Sequence, residues 1–260
     1  MGDLKVNKTV CATYLATIPA LLLCLASPLL AEEKSTHHWS YEGESGPEHW
    51  GELSPDFLMC SEGWNQSPVN LVDEVDGNLP TLEFEYYSGD INETNNGHSI
   101  QQNMNPGSFL RVPEKNLEFE LKQFHFHSPS EHTINGKSFA MEVHFVHADK
   151  NGNLAVVGVM IDEGEEHPVL KQLWAFMPEN PGETSQEPIV IEETNLLPPT
   201  RDYYAYSGSL TTPPCTEGVR WVVLKTPVQA SAEQIETFKK RVGPATNRPV
   251  QPLNARMILD

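Results

Sequence analysis

Beyond the first 31 residues the chain is a series of short apolar runs separated by Gly, Pro, Asn and Asp, with no internal repeat, low-complexity tract or long linker. Such a pattern predicts a mainly β chain. The clearest strands are Leu117 to His127, Ala140 to His147, Leu154 to Ile161 and Gly218 to Leu224. Asn135-Gly136 and Asn151-Gly152 fall between successive runs, where such pairs form tight turns, so neighbouring runs are expected to pair antiparallel. One helix is predicted from Ala232 to Arg241, because Ser231 can cap its start and Gln234, three residues on, completes a capping box. The stretch from Pro178 to Pro199 is rich in Pro and Glu yet contains the strand-like Ile189 to Ile191, and reads as a surface excursion of the same domain.

The amino terminus follows a different pattern. Lys5 and Lys8 precede an apolar run from Ile18 to Leu30, which Pro19, Ser27 and Pro28 interrupt and which closes on Ala31 before Glu32 and Glu33. This is the layout of a secretory signal peptide over residues 1–31, with cleavage near Ala31. Its apolar core is shorter than the roughly 20 residues that span a bilayer, which argues against a membrane anchor. The remainder, 32–260, is long enough to bury one substantial core and is expected in the periplasm or outside the cell. Of the four cysteines, Cys11 and Cys24 lie within the leader, leaving Cys60 and Cys215. Export favours their oxidation to a disulfide over two reduced thiols, and neither has a second cysteine at the spacing of a metal site. A formal net charge of −19 repels phosphate backbones, so nucleic acid is not an expected partner.

The chemistry concentrates in the predicted strands. His125 and His127 are two apart in a β run, and the period of two places both imidazoles on one face. On the return strand Ala140, Glu142, His144 and Val146 share a face, so His144 can meet the first pair across the ladder. Three imidazoles with a fourth position open form the ligand set of a catalytic zinc rather than a structural one. Gln123 and Glu142 each precede a ligand by two and can accept the remaining ring N–H bonds, fixing the tautomers. His147 faces away by parity, and His132 reads as structural.

These residues fall in Gln123-Phe124-His125-Phe126-His127, Ser130-Glu131-His132-Thr133, Met141-Glu142-Val143-His144-Phe145-Val146-His147 and Gly208-Ser209-Leu210-Thr211-Thr212-Pro213-Pro214-Cys215. With Trp39-Ser40-Tyr41, Asn65-Gln66-Ser67-Pro68, Asn95-Asn96-Gly97-His98 and Arg248-Pro249, they closely resemble the motifs of the α-class carbonic anhydrases, especially exported bacterial members. The resemblance runs from about residue 37 to 256. It implies an α+β, mainly β fold: a single domain with a central, largely antiparallel twisted sheet and a few short peripheral helices. It implies Zn2+ on His125, His127 and His144, and reversible hydration of carbon dioxide to bicarbonate and a proton by a zinc-bound hydroxide.

By the same resemblance, Thr211 accepts the hydroxide proton and donates its own to Glu131, an orienting role, and Thr212 contacts bicarbonate or inhibitors. Val146, Val156, Leu210, Val219 and Trp221 match the apolar substrate pocket. His98 matches the proton shuttle, with Tyr41, Asn96 and Gln101 ordering the connecting water, and a backbone carbonyl at Thr246-Asn247 is expected to hold His127. Sulfonamides and small anions are expected inhibitors, and a homodimer is compatible with the bacterial branch. Gln101 departs from the Asn of many animal members, and Ser128 from their Trp. Two alternatives are a catalytically impaired binding module and a zinc esterase. The intact histidine trio argues against the first, and the absence of His-Glu-x-x-His argues against a zinc hydrolase of the peptidase type.

Overall fold

The computed structural model describes residues 38–260, so the predicted leader lies outside the described residues. The strands are β1 (Asn70–Leu71), β2 (Glu83–Glu85), β3 (Gly89–Asn95), β4 (Ile100–Asn103), β5 (Phe109–Val112), β6 (Leu117–His127), β7 (Thr133–Ile134), β8 (Met141–Ala148), β9 (Leu154–Glu163), β10 (Thr184–Ile191), β11 (Tyr203–Ser209) and β12 (Glu217–Ala230). The helices are short: α1 (Trp50–Leu53), α2 (Met59–Glu62), α3 (Pro168–Trp174) and α4 (Ala232–Val242). A ten-stranded sheet runs in the order β10-β3-β4-β6-β8-β9-β12-β11, with β5 also on β6 and β2 on β5. Its pairings are antiparallel except for β9 with β12, while β1 and β7 form a separate parallel pair. A mainly β fold with a largely antiparallel central sheet is therefore what the sequence folds into.

Two predicted turns behave differently. Asn151-Gly152 joins β8 to β9, with Gly152 at φ 83°. Asn135-Gly136, both left-handed at φ 51° and 77°, instead closes a small bridge between Ile134 and Lys137 inside the connection from β6 to β8. That connection is long because it folds Ser130 to His132 back beneath β8, where the Glu142 carboxylate takes the amides of Glu131 and His132. The predicted surface excursion contributes β10, which pairs with β3 at the sheet edge. Its register breaks between Glu187 and Val190, a stretch holding Pro188, as expected for a proline in an edge strand.

The faces of the sheet carry different apolar clusters. One face bears Phe119, Phe124, Phe126, Val143, Phe145 and Val157 and packs against Leu170 and Leu173 of α3 and Ile235 and Phe238 of α4. The other bears Val156, Val219, Trp221 and Val223. Strand β6 serves both because its register with β8 shifts between Leu121 and Gln123, leaving Lys122 as an extra residue. Leu117, Phe119 and Leu121 thus share a face with Phe124 and Phe126, while Gln123, His125 and His127 turn to the opposite side. Helix α4 begins with the predicted capping box: Ser231 Oγ accepts from the Gln234 amide and Gln234 Oε1 from the Ser231 amide. Cys60 in α2 is disulfide-bonded to Cys215.

Candidate active site

On β6 and β8 the register places His125 directly opposite His144. Their rings and that of His127 cluster with centroids 4.6–5.4 Å apart, and one nitrogen of each lies within 4.8 Å of the others. His127 and His144 are about 1 % exposed. The outward nitrogens are held by groups that can only accept, so each must carry a proton there. His125 Nδ1 donates to Gln123 Oε1 at 2.9 Å, His127 Nδ1 to the Thr246 carbonyl at 2.6 Å and His144 Nε2 to Glu142 Oε1 at 2.8 Å. The bare nitrogens, Nε2 of His125 and His127 and Nδ1 of His144, remain for a metal. His127 Nε2 is buried with no hydrogen-bond partner, a state that costs free energy unless a ligand occupies it. Burial holds all three imidazoles below their ordinary pKa, His127 at about 4, so they stay neutral and ready to coordinate.

Behind His144 lies a hydrogen-bonded chain that the sequence leaves unseen. Glu142 Oε1 also accepts from His132 Nδ1 at 2.8 Å. His132 Nε2 must then accept, and takes the Tyr206 hydroxyl at 2.6 Å, which in turn receives the Ser67 hydroxyl at 2.8 Å. The Ser209 amide donates to Ser67 Oγ, so every proton in the chain has one direction. Burial alone would raise the Glu142 carboxyl, but His132, His144 and their hydrogen bonds outweigh it and hold the group well below its ordinary range. His132, Glu142 and His144 also have ligand atoms close together. Both nitrogens of His132 and the near nitrogen of His144 are already hydrogen-bonded, so this group positions His144 and is not a second metal site.

Glu131 is about 1 % exposed, and its Oε1 accepts the Arg248 amide at 2.8 Å. Its Oε2 lacks a well-formed bond and lies 3.6 Å from His127 Nε2 and 3.8 Å from His144 Nδ1. Burial pushes Glu131 up to about 7, while His144, the Arg248 amide and the nearby Thr211 hydroxyl pull it down. Thr211 is buried, Thr212 is half-buried, and the Thr212 carbonyl accepts the Cys215 amide, so the disulfide fastens the turn carrying both threonines to α2. The Arg248 guanidinium, fully buried, ties Gln66, Ser67 and Cys60 to the same corner. Val146, Val156, Leu210, Val219 and Trp221 all belong to the apolar cluster on the histidine face, with Trp221 4.9 Å from the His144 ring.

His98 is half-buried and stacks on Trp39, ring centroids 3.6 Å apart and planes within 9°. Burial in that stack and the nearby His38 lower its pKa to about 4. Tyr41 meets His98 edge-on at 6.4 Å, and burial, with the Glu131 charge adding to it, raises the Tyr41 hydroxyl well above its ordinary pKa. Asn96 spends its side-chain oxygen on the amides of His98 and Ser99, fixing the turn that presents His98. Gln101 pairs with His125 in register and donates to Asn103.

A largely antiparallel sheet thus carries, beside an apolar wall, three hydrogen-bonded imidazoles, two buried and one half-buried, that could hold a metal ion. The eukaryotic-type carbonic anhydrase family model matches residues 45–260. A curated carbonic anhydrase from Pectobacterium carotovorum is 45 % identical over 242 residues, covering 92 % of this chain and 98 % of its own, and one from Neisseria gonorrhoeae is 44 % identical over 246 residues, covering 94 % and 96 %. The solved α-carbonic anhydrase from Thermovibrio ammonificans, in complex with the inhibitor sulfanilamide, superposes with a TM-score of 0.83 at 51 % identity, covering 86 % of this chain and 99 % of that one. The chain belongs to the α-class carbonic anhydrase family, and the protein is a carbonic anhydrase.

Proposed function

We propose that the protein hydrates carbon dioxide reversibly, using zinc held by His125, His127 and His144. The observation that carries this reading is the trio of converging bare nitrogens, one of them buried without a partner. A thiolate-free set of neutral imidazoles suits zinc, which when bound supplies the Lewis acidity that makes water nucleophilic at neutral pH, chemistry for which carbonic anhydrase is the standing example.

The chain's own residues supply orientation and dryness. Glu131 Oε1 is taken by the Arg248 amide, which leaves Oε2 as the acceptor for the Thr211 hydroxyl hydrogen. With its proton committed there, Thr211 Oγ1 can only accept on its other side, and so selects a donor in one orientation. Val146, Val156, Leu210, Val219 and Trp221 offer a small neutral substrate an apolar wall that water cannot bond. Sulfonamides and small anions are the inhibitors expected in this cleft, with Thr212 at its edge. The enzyme works outside the cytoplasm, a reading supported by the disulfide and by the leader pattern; among the described residues no helix is long and apolar enough to cross a membrane.

His98 carries the product proton away, with Tyr41 and Gln101 along the route and Asn96 holding the His98 turn. Stacking on Trp39 keeps the ring neutral at pH 7, prepared to accept a proton and ill suited to retain it. Stopped-flow hydration and isotope exchange test this role. His98→Ala is expected to slow hydration in weak buffer, to recover with added imidazole and to leave CO2–bicarbonate exchange unchanged. An equal loss in both measurements removes His98 from proton transfer.

A further inference from the structure

Among the described residues, the sheet face opposite the histidines is only partly covered. Helices α3 and α4 pack on one portion, and the remainder opens into a cavity of about 870 Å³ that no residue of either helix lines. That volume lies within the roughly 300–1,000 Å³ of small-molecule sites. Its floor is Leu110, Phe119, Ala155 and Val222, all buried members of the core, and the Leu79, Pro80 and Leu82 stretch and the carboxy-terminal Ala255, Met257 and Leu259 contribute further lining. Met257, at its edge, is 65 % exposed, an unusual position for a large apolar side chain at the lip of an apolar crevice.

The charge around the opening is the second observation. The sequence holds 36 acidic and 17 basic residues, yet among the described residues no Asp or Glu lines this cavity, whereas Lys115, Arg220 and Arg256 do. Lys115 and Arg220 are exposed, and neither side chain makes a hydrogen bond or ion pair among the described residues. Arg256 is fastened by the backbone carbonyls of Ser207, Pro252 and Leu253 and has no carboxylate bonded to it. Glu217, which acts on Arg256 at a distance, is bonded instead to Asn65 and Gln66. Arg220 reaches this side because Val219 and Trp221, its neighbours on β12, face the histidine cluster while Val222 joins the opposite one.

We propose that this cavity is a binding site for a single-chain amphipathic anion, a free fatty-acid-like carboxylate whose tail lies on the Leu110–Phe119–Val222 floor and whose head meets Lys115 and Arg220. An apolar crevice alone would take any greasy molecule; three cations at its mouth, on a chain this acidic, select for a negative head. Tyr206 and Trp221 of the histidine-side cluster also reach this cavity, but the head and tail contacts proposed here use no residue of the histidine site, so their failure would leave the hydration reading untouched.

The test is calorimetric titration of the zinc-loaded protein with dodecanoate below its micellar concentration, in saturating sulfanilamide. The expected result is one saturable site that sulfanilamide does not displace, with no binding of acetate and weaker binding of dodecanol. The double variant Lys115→Glu/Arg220→Glu should bind dodecanoate about tenfold more weakly or worse, as expected for losing charge-assisted bonds. Ala205→Phe, which places a ring within the cavity lining, should weaken dodecanoate and dodecanol alike. Unchanged CO2 hydration certifies that both variants are folded. Absence of saturable binding, displacement by sulfanilamide, or equal affinity in the folded charge variant overturns the proposal.

Discussion

A close steric demand beside the three histidines falls on Gly158. It lies opposite His144 in the β8–β9 ladder, and a Cβ there would come within 2.8 Å of Glu142 Oε1. That oxygen is held by His132 and His144 together, so it has no free direction in which to yield. Gly158→Ala is therefore expected to lower zinc affinity by about 10–100-fold, the range for losing an outer hydrogen bond to a ligand, while the protein still folds. Competition with a chelator measures it, and wild-type affinity in the variant would show that Glu142 does not position His144.

A different residue governs pH. Glu93 is fully buried with neither carboxylate oxygen bonded, and burial raises its pKa from 4.5 to about 8. Below pH 4.5 both folded and unfolded chains hold this proton; above it the unfolded chain releases the proton first, so this contribution to stability is lost as pH rises towards 8. Glu93→Gln should remove that loss and stabilise the protein by a few kcal/mol at pH 8 but little at pH 4. Thermal unfolding across this range reads the difference, and parallel pH curves for the two proteins would exclude it. The three histidines were legible as residues because spacing and parity are local properties. The Ser67–Tyr206–His132 chain was not, because its members are up to 139 residues apart and are joined only by the fold.

At the scale of elements, the extra residue at Lys122 decides which way β6 faces. Simple alternation from Leu117 would have set Leu117, Phe119 and Leu121 on the histidine side; the register shift separates them. The strand's limits were legible from its pattern, but a bulge leaves no comparable mark in one sequence, since the same residues satisfy alternation on either side of it. The Asn135-Gly136 turn was likewise correct in kind and misplaced in connectivity, because a turn signal does not say which strands it joins. Helix α4 was fully legible from its cap. Gln234 does more than cap: it accepts the His167 amide and donates to the His167 carbonyl, tying α4 to the start of α3. Ser231→Ala is expected to cost about 1 kcal/mol, as typical caps do. Gln234→Ala should cost more, since it also leaves the buried His167 amide unpaired and removes a second donor from the His167 carbonyl, which keeps only the Lys171 amide. Denaturant unfolding ranks the two, and equal losses would mean the link to α3 contributes nothing.

At the scale of the molecule, the sheet divides its labour by face: the three histidines and the apolar wall lie on one, and the main core with α3 and α4 on the other. The disulfide closes a loop of 155 residues, a constraint worth up to about 5 kcal/mol in the chain-entropy view, and it does so at the turn bearing Thr211 and Thr212. A mainly β fold and an oxidised cysteine pair could be foreseen from short apolar runs and from the leader-like pattern of the first 31 residues. The cavity opposite the site could not, since it arises from what the helices fail to cover. The most direct measurement of the central claim compares CO2 hydration and zinc content of the purified protein with those of His144→Ala. The account predicts one zinc per chain with rapid hydration in the wild type, and loss of both in the variant. A wild type that carries one zinc yet hydrates CO2 no faster than His144→Ala would contradict it.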